Sequence, residues 1–488
     1  MLAATVLGSS IAFLDSTVVN VALPHIGEDL DSGVGGLQWV LSGYLLAVSS
    51  LILLGGSLGD RFGRKRVFQV GVVIFALASL WCALAPNVSM LIVGRVLQGV
   101  GGALLTPGSL AILEASFRRE DRAAAIGAWS GLSGVASAIG PFVGGWLVDS
   151  ASWRWIFLIN LPLSVVVVAI AARHVPETSD PDAPRHVDIP GAALVALGLG
   201  GISWGLISAG EEGWGSPAVW VSLVGGVAAM VALVVVEVRS PAPMVPPAIF
   251  ASRQFRAANL VTLAVYAALG GTFFLLVVQL QTSLGYSAIE AGAATLPITL
   301  LMLTLSSRSG ALATRIGPRL QMTVGPLLVA LGTLLMVRIE PGADYVADVL
   351  PGVLVMGLGL ATVVAPLTAT ALSAVDDRHA GVASGVNTTV ARAAQLAAVA
   401  GLPLAAGITG ESYLDPDLLT TGFQRAMAIT AALAALGGIL AAIFVRNPER
   451  VEAEPVPAAT GWFCGVEGPP LDTCPGSSAG RAPTERAA

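Results

Sequence analysis

Apolar runs of about twenty residues recur along nearly the whole 488-residue chain and leave only short polar connections between them. A helix needs roughly 20 mainly apolar residues to cross the hydrocarbon core of a bilayer. Runs of that length lie near residues 2–24, 37–57, 67–86, 90–114, 123–148, 152–173, 189–209 and 217–237. Six more lie near 256–283, 290–311, 321–338, 346–372, 380–408 and 423–445. The segments 290–311 and 346–372 are rich in glycine and proline, which a span tolerates when neighbouring helices re-satisfy the freed backbone groups. Charged residues make up 11% of the chain, against about a quarter in an ordinary soluble domain. The expected fold class is therefore an all-α membrane protein with fourteen spans.

The first run starts at Met1 without a basic leader and shows no small-residue cleavage site before Pro24. It reads as a span that begins abruptly, as in a chain whose short cytoplasmic leader is missing. Basic residues give the orientation. With the N-terminus inside, cytoplasmic loops hold Arg61, Arg64, Lys65, Arg66, Arg118, Arg119, Arg122, Arg173, Arg185, Arg239, Arg253, Arg256, Arg308, Arg315, Arg319, Arg378, Arg446 and Arg450. The outer side keeps Arg154, Arg338 and Arg425. This asymmetry follows the positive-inside rule and predicts a multi-pass protein of the cell (inner) membrane with both termini cytoplasmic. Residues 447–488, dominated by Pro, Gly, Ser, Glu and Ala, predict a disordered cytoplasmic tail.

The chain repeats itself. Gly56-Ser-Leu-Gly-Asp60-Arg61-Phe-Gly63-Arg64 is echoed by Gly310-Ala-Leu-Ala-Thr314-Arg315-Ile-Gly317-Pro-Arg319. Gly99-Val-Gly101…Pro107 is echoed by Gly357-Leu-Gly359…Pro366, and Asp121-Arg122 by Asp377-Arg378. The pattern predicts an N-terminal six-helix half (1–174), a central loop and inserted helix pair (175–254) and a C-terminal six-helix half (255–446). Transporters built from repeated halves bind substrate near the midplane between them.

Several segments carry chemistry of their own. In Gly56–Arg66 the glycines permit a tight turn, and Asp60 is expected near the N-terminus of the third helix, where the macrodipole favours a carboxylate. The nearby basic residues could pair with carboxylates and hold one end of the bundle shut, although plain positive-inside anchoring would also place them there. Thr314 replaces the acid in the second copy, so its gate is expected to be weaker. Asp15 falls deep in the first span, where an ionised side chain costs about 2.5–3.5 kcal/mol on insertion scales. Arg95, inside the fourth run, needs an anionic or polar partner. Asp15 is the deep acid available in the first half, unless Arg95 snorkels to the interface. Gly140, Pro141, Gly144 and Gly145 place small residues where helices could pack closely, with a proline bend.

Together these segments resemble the major facilitator superfamily, in its fourteen-helix drug:proton antiporter branch. Gly56–Arg66 resembles the loop signature between helices 2 and 3, and Leu14-Asp15…Pro24 the first-helix signature of the branch. Arg95-Val-Leu-Gln98-Gly99 resembles the helix-4 motif, whose arginine is implicated in proton coupling. Ser133–Gly145 resembles the fifth-helix antiporter motif, with Ala136 where glycine is common. Trp153-Arg154-Trp155-Ile-Phe157-Leu-Ile-Asn160-Leu-Pro162 resembles the opening of helix 6. Gly381–Arg392 resembles the helix-13 signature, with Ala394 and Ala398 at later positions where glycines are common. The resemblance runs to about Arg446.

It implies two six-helix halves plus an inserted helix pair, and proton-coupled export of lipophilic, often cationic small molecules by alternating access. Asp15 and Arg95 would couple the proton, and Gly56, Asp60, Arg61, Gly63 and Arg64 would form the gating loop. Tyr44, Gln98, Tyr266, Phe273, Phe274, Asn387, Arg392 and Gln395 are the positions expected to line the substrate cavity. Trp153 and Trp155 are expected as interfacial anchors.

No P-loop and no nucleophile elbow occurs, the four histidines are scattered, and Cys82, Cys464 and Cys474 have no metal-ligand spacing. No catalytic residue, metal or cofactor is expected. The expected partners are a small-molecule substrate, protons and the lipid bilayer, with no nucleic acid, and the expected unit is a monomer. Two rival functions remain: a dedicated exporter of a metabolite made by the host, such as an antibiotic, lipid or siderophore, and a membrane sensor that transports nothing.

Overall fold

The computed structural model describes residues 1–117, 122–180, 188–240, 243, 245–376, 380–410 and 415–447. Arg118, Arg119, Asp121, Arg185, Asp377 and Arg378, and the tail expected beyond Asn447, lie outside the described residues. Each of the fourteen apolar runs is a helix long enough to cross a membrane. They are α1 (Leu2–Asp29), α2 (Val34–Phe62), α3 (Arg64–Ala83), α4 (Val88–Ser116), α5 (Arg122–Ser150) and α6 (Trp155–His174). The inserted pair is α7 (Ile189–Glu212) and α8 (Pro217–Arg239). The remainder are α9 (Arg253–Thr282), α10 (Ala288–Ile316), α11 (Pro318–Arg338), α12 (Tyr345–Ser373), α13 (Ala380–Ala406) and α14 (Pro416–Phe444).

Three of these helices are interrupted, and proline accounts for each site. Its ring clashes with the carbonyl four residues back and it offers no N–H. Pro162 lies just beyond the break at Ile159 in α6, and Pro297 just beyond the break at Thr295 in α10. Pro351 follows the wider π turn, Tyr345–Val349, that opens α12. Two of these breaks fall in the glycine- and proline-rich runs 290–311 and 346–372. Polar side chains begin many of the helices: Asn87, Asp188, Ser252 and Asp415 each accept hydrogen bonds from the first-turn N–H groups.

The internal repeat is structural as well as sequential. In the first six helices α1 packs on α5 and α6, α2 on α4, and α3 on α4 and α6. In the last six α9 packs on α13 and α14, α10 on α12, and α11 on α12 and α14. Gly63 and Gly317 end α2 and α10 with φ of +107° and +85°, a backbone region that favours glycine. Gly101 of α4 and Gly359 of α12 bring their helices against Gly71 of α3 and Gly325 of α11, close enough that a methyl group at either would strike backbone. The two halves meet along α2 and α13 and between α5 and α10, while α7 lies against both α2 and α13. Helix α8 packs on α7 and leaves most of its apolar surface exposed.

One end of the bundle carries the Arg61–Arg66 loop, Arg173, Arg319 and Arg446 and is called the basic end below. At that end Lys65 N–H donates to Glu177 at 3.1 Å, and Arg64 N–H donates to the Thr178 carbonyl at 2.8 Å. In the second half Arg319 N–H donates to the Asn447 side chain at 3.1 Å. Glu177 and Asn447 each stand three residues past the last helix of their half, and each packs against the repeat glycine, Gly63 or Gly317.

Candidate functional site

Asp15, at the middle of α1, is buried with Arg95, both about 1% exposed. An Arg95 Nη1 donates to Asp15 Oδ2 at 2.5 Å and to Gln98 Oε1 at 2.6 Å, and Arg95 Nε donates to the Val40 carbonyl at 3.1 Å. The other Asp15 oxygen accepts from Gln98 Nε2 at 2.7 Å and from Asn160 Nδ2 at 3.0 Å. Ser79 Oγ accepts from Gln98 Nε2 at 2.8 Å and donates to the Phe75 carbonyl. The Tyr44 ring lies under the guanidinium at 4.6 Å, and Phe157 stands 5.9 Å away. Residues from α1, α2, α3, α4 and α6 thus surround a single carboxylate and a single guanidinium.

Such burial is tolerable because the charges cancel and their lone pairs and protons are occupied. Removing one partner from a buried pair leaves an uncompensated charge and costs about 3–5 kcal/mol. The cluster forms because Arg95 and Gln98 lie one turn apart on α4 and face the same way. Asn160 joins it as the first residue after the break in α6. Its own side-chain oxygen is buried without a partner. Arg95 does not snorkel.

The structure moves several expected cavity residues. Gln98 is fully buried inside the Asp15–Arg95 cluster, since its amide supplies both the donor and the acceptor that the pair requires. Tyr44 is buried beneath Arg95, and Phe274 is a core residue at 1% exposure. Tyr266 and Phe273 are half-buried on α9. Asn387 donates to Thr262 at 2.8 Å and to Asn259 at 3.3 Å, joining α13 to α9. Arg392 and Gln395 are half-buried on α13, and Arg392 donates to Gln395 at 3.3 Å.

In the loop at the basic end, Asp60 sits in the last turn of α2 and pairs with Arg64 at 2.8 Å rather than capping α3. Glu177 takes that capping place and also faces Arg66 at 3.6 Å. Lys65 reaches the Ala172 carbonyl, and Arg61 lies over the Phe62 ring at 4.9 Å. Thr314 turns back onto Ala311. At the opposite end Trp153 is no interfacial anchor: it is buried and donates to Asp29 at 2.9 Å, alongside an Arg154–Asp29 pair at 2.6 Å. Trp155 is exposed, as an anchor would be.

The glycine–proline stretch of α5 has two faces. Gly140 and Gly144 let α5 lie against Thr17 and Val18 of α1, where Thr17 Oγ1 donates to the Ser137 carbonyl at 3.1 Å. Gly145 touches the backbone of Ala288 and Ile289, and Gly292 touches Pro141, so the same helix closes on α10 of the other half. Toward the basic end one face of α5 is uncovered, since methyl groups added at Gly127, Gly131 or Gly134 would meet nothing within 4 Å, while Trp129 Nε1 ties the helix to α1 by donating to Ser9 Oγ at 3.0 Å.

Sequence reasoning did not single out Asn160, Ser79, Glu177 or Asp149 as site residues. Asn160 was visible in the stretch that resembles the opening of helix 6, without a role assigned to it.

The model of the Major Facilitator Superfamily matches residues 5–399. The tetracenomycin C resistance and export protein of Streptomyces glaucescens is 35% identical over 386 residues, 79% of this chain and 71% of that protein. The methylenomycin A resistance protein of Streptomyces coelicolor is 33% identical over 456 residues, 93% of each. The multidrug resistance protein Stp of Mycobacterium tuberculosis is 34% identical over 386 residues, 79% of this chain and 71% of that protein. Among solved structures, a POT peptide transporter aligns with a TM-score of 0.67 at 16% identity, covering 90% of this chain and 93% of that one. A D-xylose-proton symporter aligns with a TM-score of 0.63 at 15% identity, covering 91% and 97%. Those two likenesses concern the fold alone. With fourteen membrane helices, twelve of them in two related halves, the signature loop at Gly56–Arg66 and relatives named for drug and antibiotic resistance, this chain belongs to the major facilitator superfamily, in its drug-export branch.

Proposed function

We propose that this protein exports lipophilic small molecules in exchange for protons, by alternating access, with its basic end and both termini in the cytoplasm. The observation that carries the coupling is the sealed Asp15–Arg95 pair held by Gln98 and Asn160. In this arrangement Arg95 balances the charge of the Asp15 carboxylate inside apolar surroundings. Protonating Asp15 removes the charge that Arg95 balances and weakens three hydrogen bonds that tie α4 and α6 to α1. Freed in this way, α4 can shift against α1, and loss of the proton to the cytoplasm restores the clamp. The gradient's electrical part supplies roughly 2.3 kcal/mol per charge per 100 mV.

The conformation fits a cytoplasm-facing step of that cycle. α5 and α10 are in contact at the basic-poor end, and toward the basic end the glycine face of α5 is uncovered. The names of the relatives support export as the direction. A dedicated exporter of an endogenous metabolite is the second reading, favoured by the relative named for both resistance to and export of tetracenomycin C.

The test is transport in proteoliposomes with an imposed proton gradient. Asp15→Asn should abolish accumulation of substrate against its gradient and keep some downhill exchange, and Arg95→Ala should also uncouple. If Asp15→Asn still concentrates substrate, the proton is carried elsewhere.

A further inference from the structure

Two arginines stand near mid-bilayer in the seam region, and the structure treats them differently. Arg95 is sealed, with a carboxylate, an amide oxygen and a carbonyl on its donors. Arg392 is half-buried and donates to the neutral side-chain oxygen of Gln395 at 3.3 Å. Among the described residues no carboxylate lies within ion-pair distance of it. A guanidinium stays protonated and carries five N–H donors in a planar fork, so most of its donors have no acceptor among the described residues. Leaving a cation in this state inside a span is costly, and such residues mark substrate or ion pathways.

Its place in the fold is fixed by the seams on either side. α13 runs antiparallel to α2: Gly385 meets Leu53 near one end, and Gln38 donates to the Val399 and Ala400 carbonyls near the other. That register puts Arg392 level with the stretch of α2 around Tyr44–Ala47. On its other side α13 runs beside α9, with Asn387 bonded to Thr262 and Gln395 pressed against Gly270. Arg392 therefore sits level with Tyr266, and its charge reaches both Tyr44 and Tyr266. The cation lies near the middle of α13 on the seam between the halves, with the half-buried Tyr266 ring level with it, at the depth where repeated-half transporters hold their substrates. Asp15, the deep acid, lies beyond Tyr44 and is already neutralised by Arg95.

We propose that Arg392 is the anion-recognising element of the substrate site, and that the preferred cargo is an aromatic acid, a planar apolar body bearing a carboxylate or phenolate. The guanidinium fork matches a carboxylate in a bidentate manner, and the half-buried Tyr266 ring beside it accepts the aromatic body. A lipophilic cation would instead meet the positive charge of Arg392, which has no carboxylate within ion-pair distance among the described residues. This inference rests on the export reading above and narrows its substrate class toward acids.

The experiment is equilibrium binding to the full chain in nanodiscs, read by fluorescence and corrected with empty nanodiscs. The probes are anthracene-9-carboxylate, 9-(aminomethyl)anthracene and uncharged 9-methylanthracene, which share one body and differ in charge. Wild type is expected to bind the carboxylate about tenfold more tightly than the ammonium, the size of one charge-assisted contact. Arg392→Gln should abolish that preference while leaving the uncharged probe's affinity unchanged, and Arg392→Lys should keep part of it. Retained affinity for the uncharged probe shows that the variant is folded. A wild-type preference for the ammonium, no binding of the carboxylate above empty nanodiscs, or an unchanged ratio in Arg392→Gln overturns the proposal. Binding is read without a gradient, so a failure of proton coupling, seen with Asp15→Asn in proteoliposomes, is scored separately.

Discussion

Asp149 Oδ2 accepts a hydrogen bond from the Ile289 N–H at 2.8 Å, and its second oxygen takes the Ala288 N–H at 3.1 Å. A carboxylate at the end of α5 thereby caps the first turn of α10, which belongs to the other half. The contact lies beside Gly145, whose missing side chain lets the two backbones touch. At this end α5 and α10 are held by this side chain and by the absence of one at Gly145, alongside the Gln38 and Gln281 hydrogen bonds between the halves.

The latch predicts that Asp149→Ala opens the basic-poor end more often. Asp149 is exposed, so screening reduces what its two hydrogen bonds contribute, to about 1 kcal/mol. That corresponds to roughly a fivefold shift in population. Spin-label distances between the ends of α5 and α10 should lengthen, whereas Gly145→Ala, which collides with the Ile289 backbone, should lengthen them more. Unchanged distances in both variants would mean that α5 and α10 are held together by other contacts.

Gln98 should matter through Asp15 and Arg95 rather than through substrate. Gln98→Leu leaves one carboxylate oxygen and one guanidinium donor short of partners, at about 1–3 kcal/mol. The variant should melt at a lower temperature and lose gradient-driven uptake, with substrate affinity within about twofold of wild type, well below the tenfold that 1.4 kcal/mol represents. A selective loss of affinity would return Gln98 to the cavity wall.

At the basic end, Gly63→Leu should impair turnover without loss of binding. The φ of +107° disfavours any side chain there, and a Cβ would press on the Glu177 carboxylate. Glu177→Ala should cost about 1 kcal/mol by removing a helix cap. Glu177→Gln should cost less, because the Arg66 partner is solvent-exposed. Asp60→Asn should slow turnover by loosening Arg64. Parallel losses of binding and transport in these variants would show that the loop also shapes the cavity.

The orientation predicts that impermeant thiol reagents label cysteines placed at Gly213 or Gly215, between α7 and α8, from outside the cell. Cysteines placed in the 57–66 loop should react only after the membrane is opened. External labelling of that loop would invert the topology.

The sequence by itself determined the spans, the repeat and the two deep charges, because each is a local fact set against a known solvent. Twenty apolar residues either match the bilayer or do not, and Asp15 and Arg95 stand out because an unpaired charge there is costly. Gly63 and Gly317 were legible as turns because only glycine suits that backbone. Tertiary structure alone decided who meets whom. Asp15 finds Arg95 80 residues away and Asn160 145 residues away. It also decided that Gln98 serves the charge pair, that Glu177 and not Asp60 caps α3, and that Arg95 is neutralised while Arg392 is not. The reason is physical. Helices apolar on every side carry little amphipathic signal, so their rotation and crossing are set by close packing of small residues and by a few polar contacts. Those are properties of pairs of helices, and no single helix spells them out.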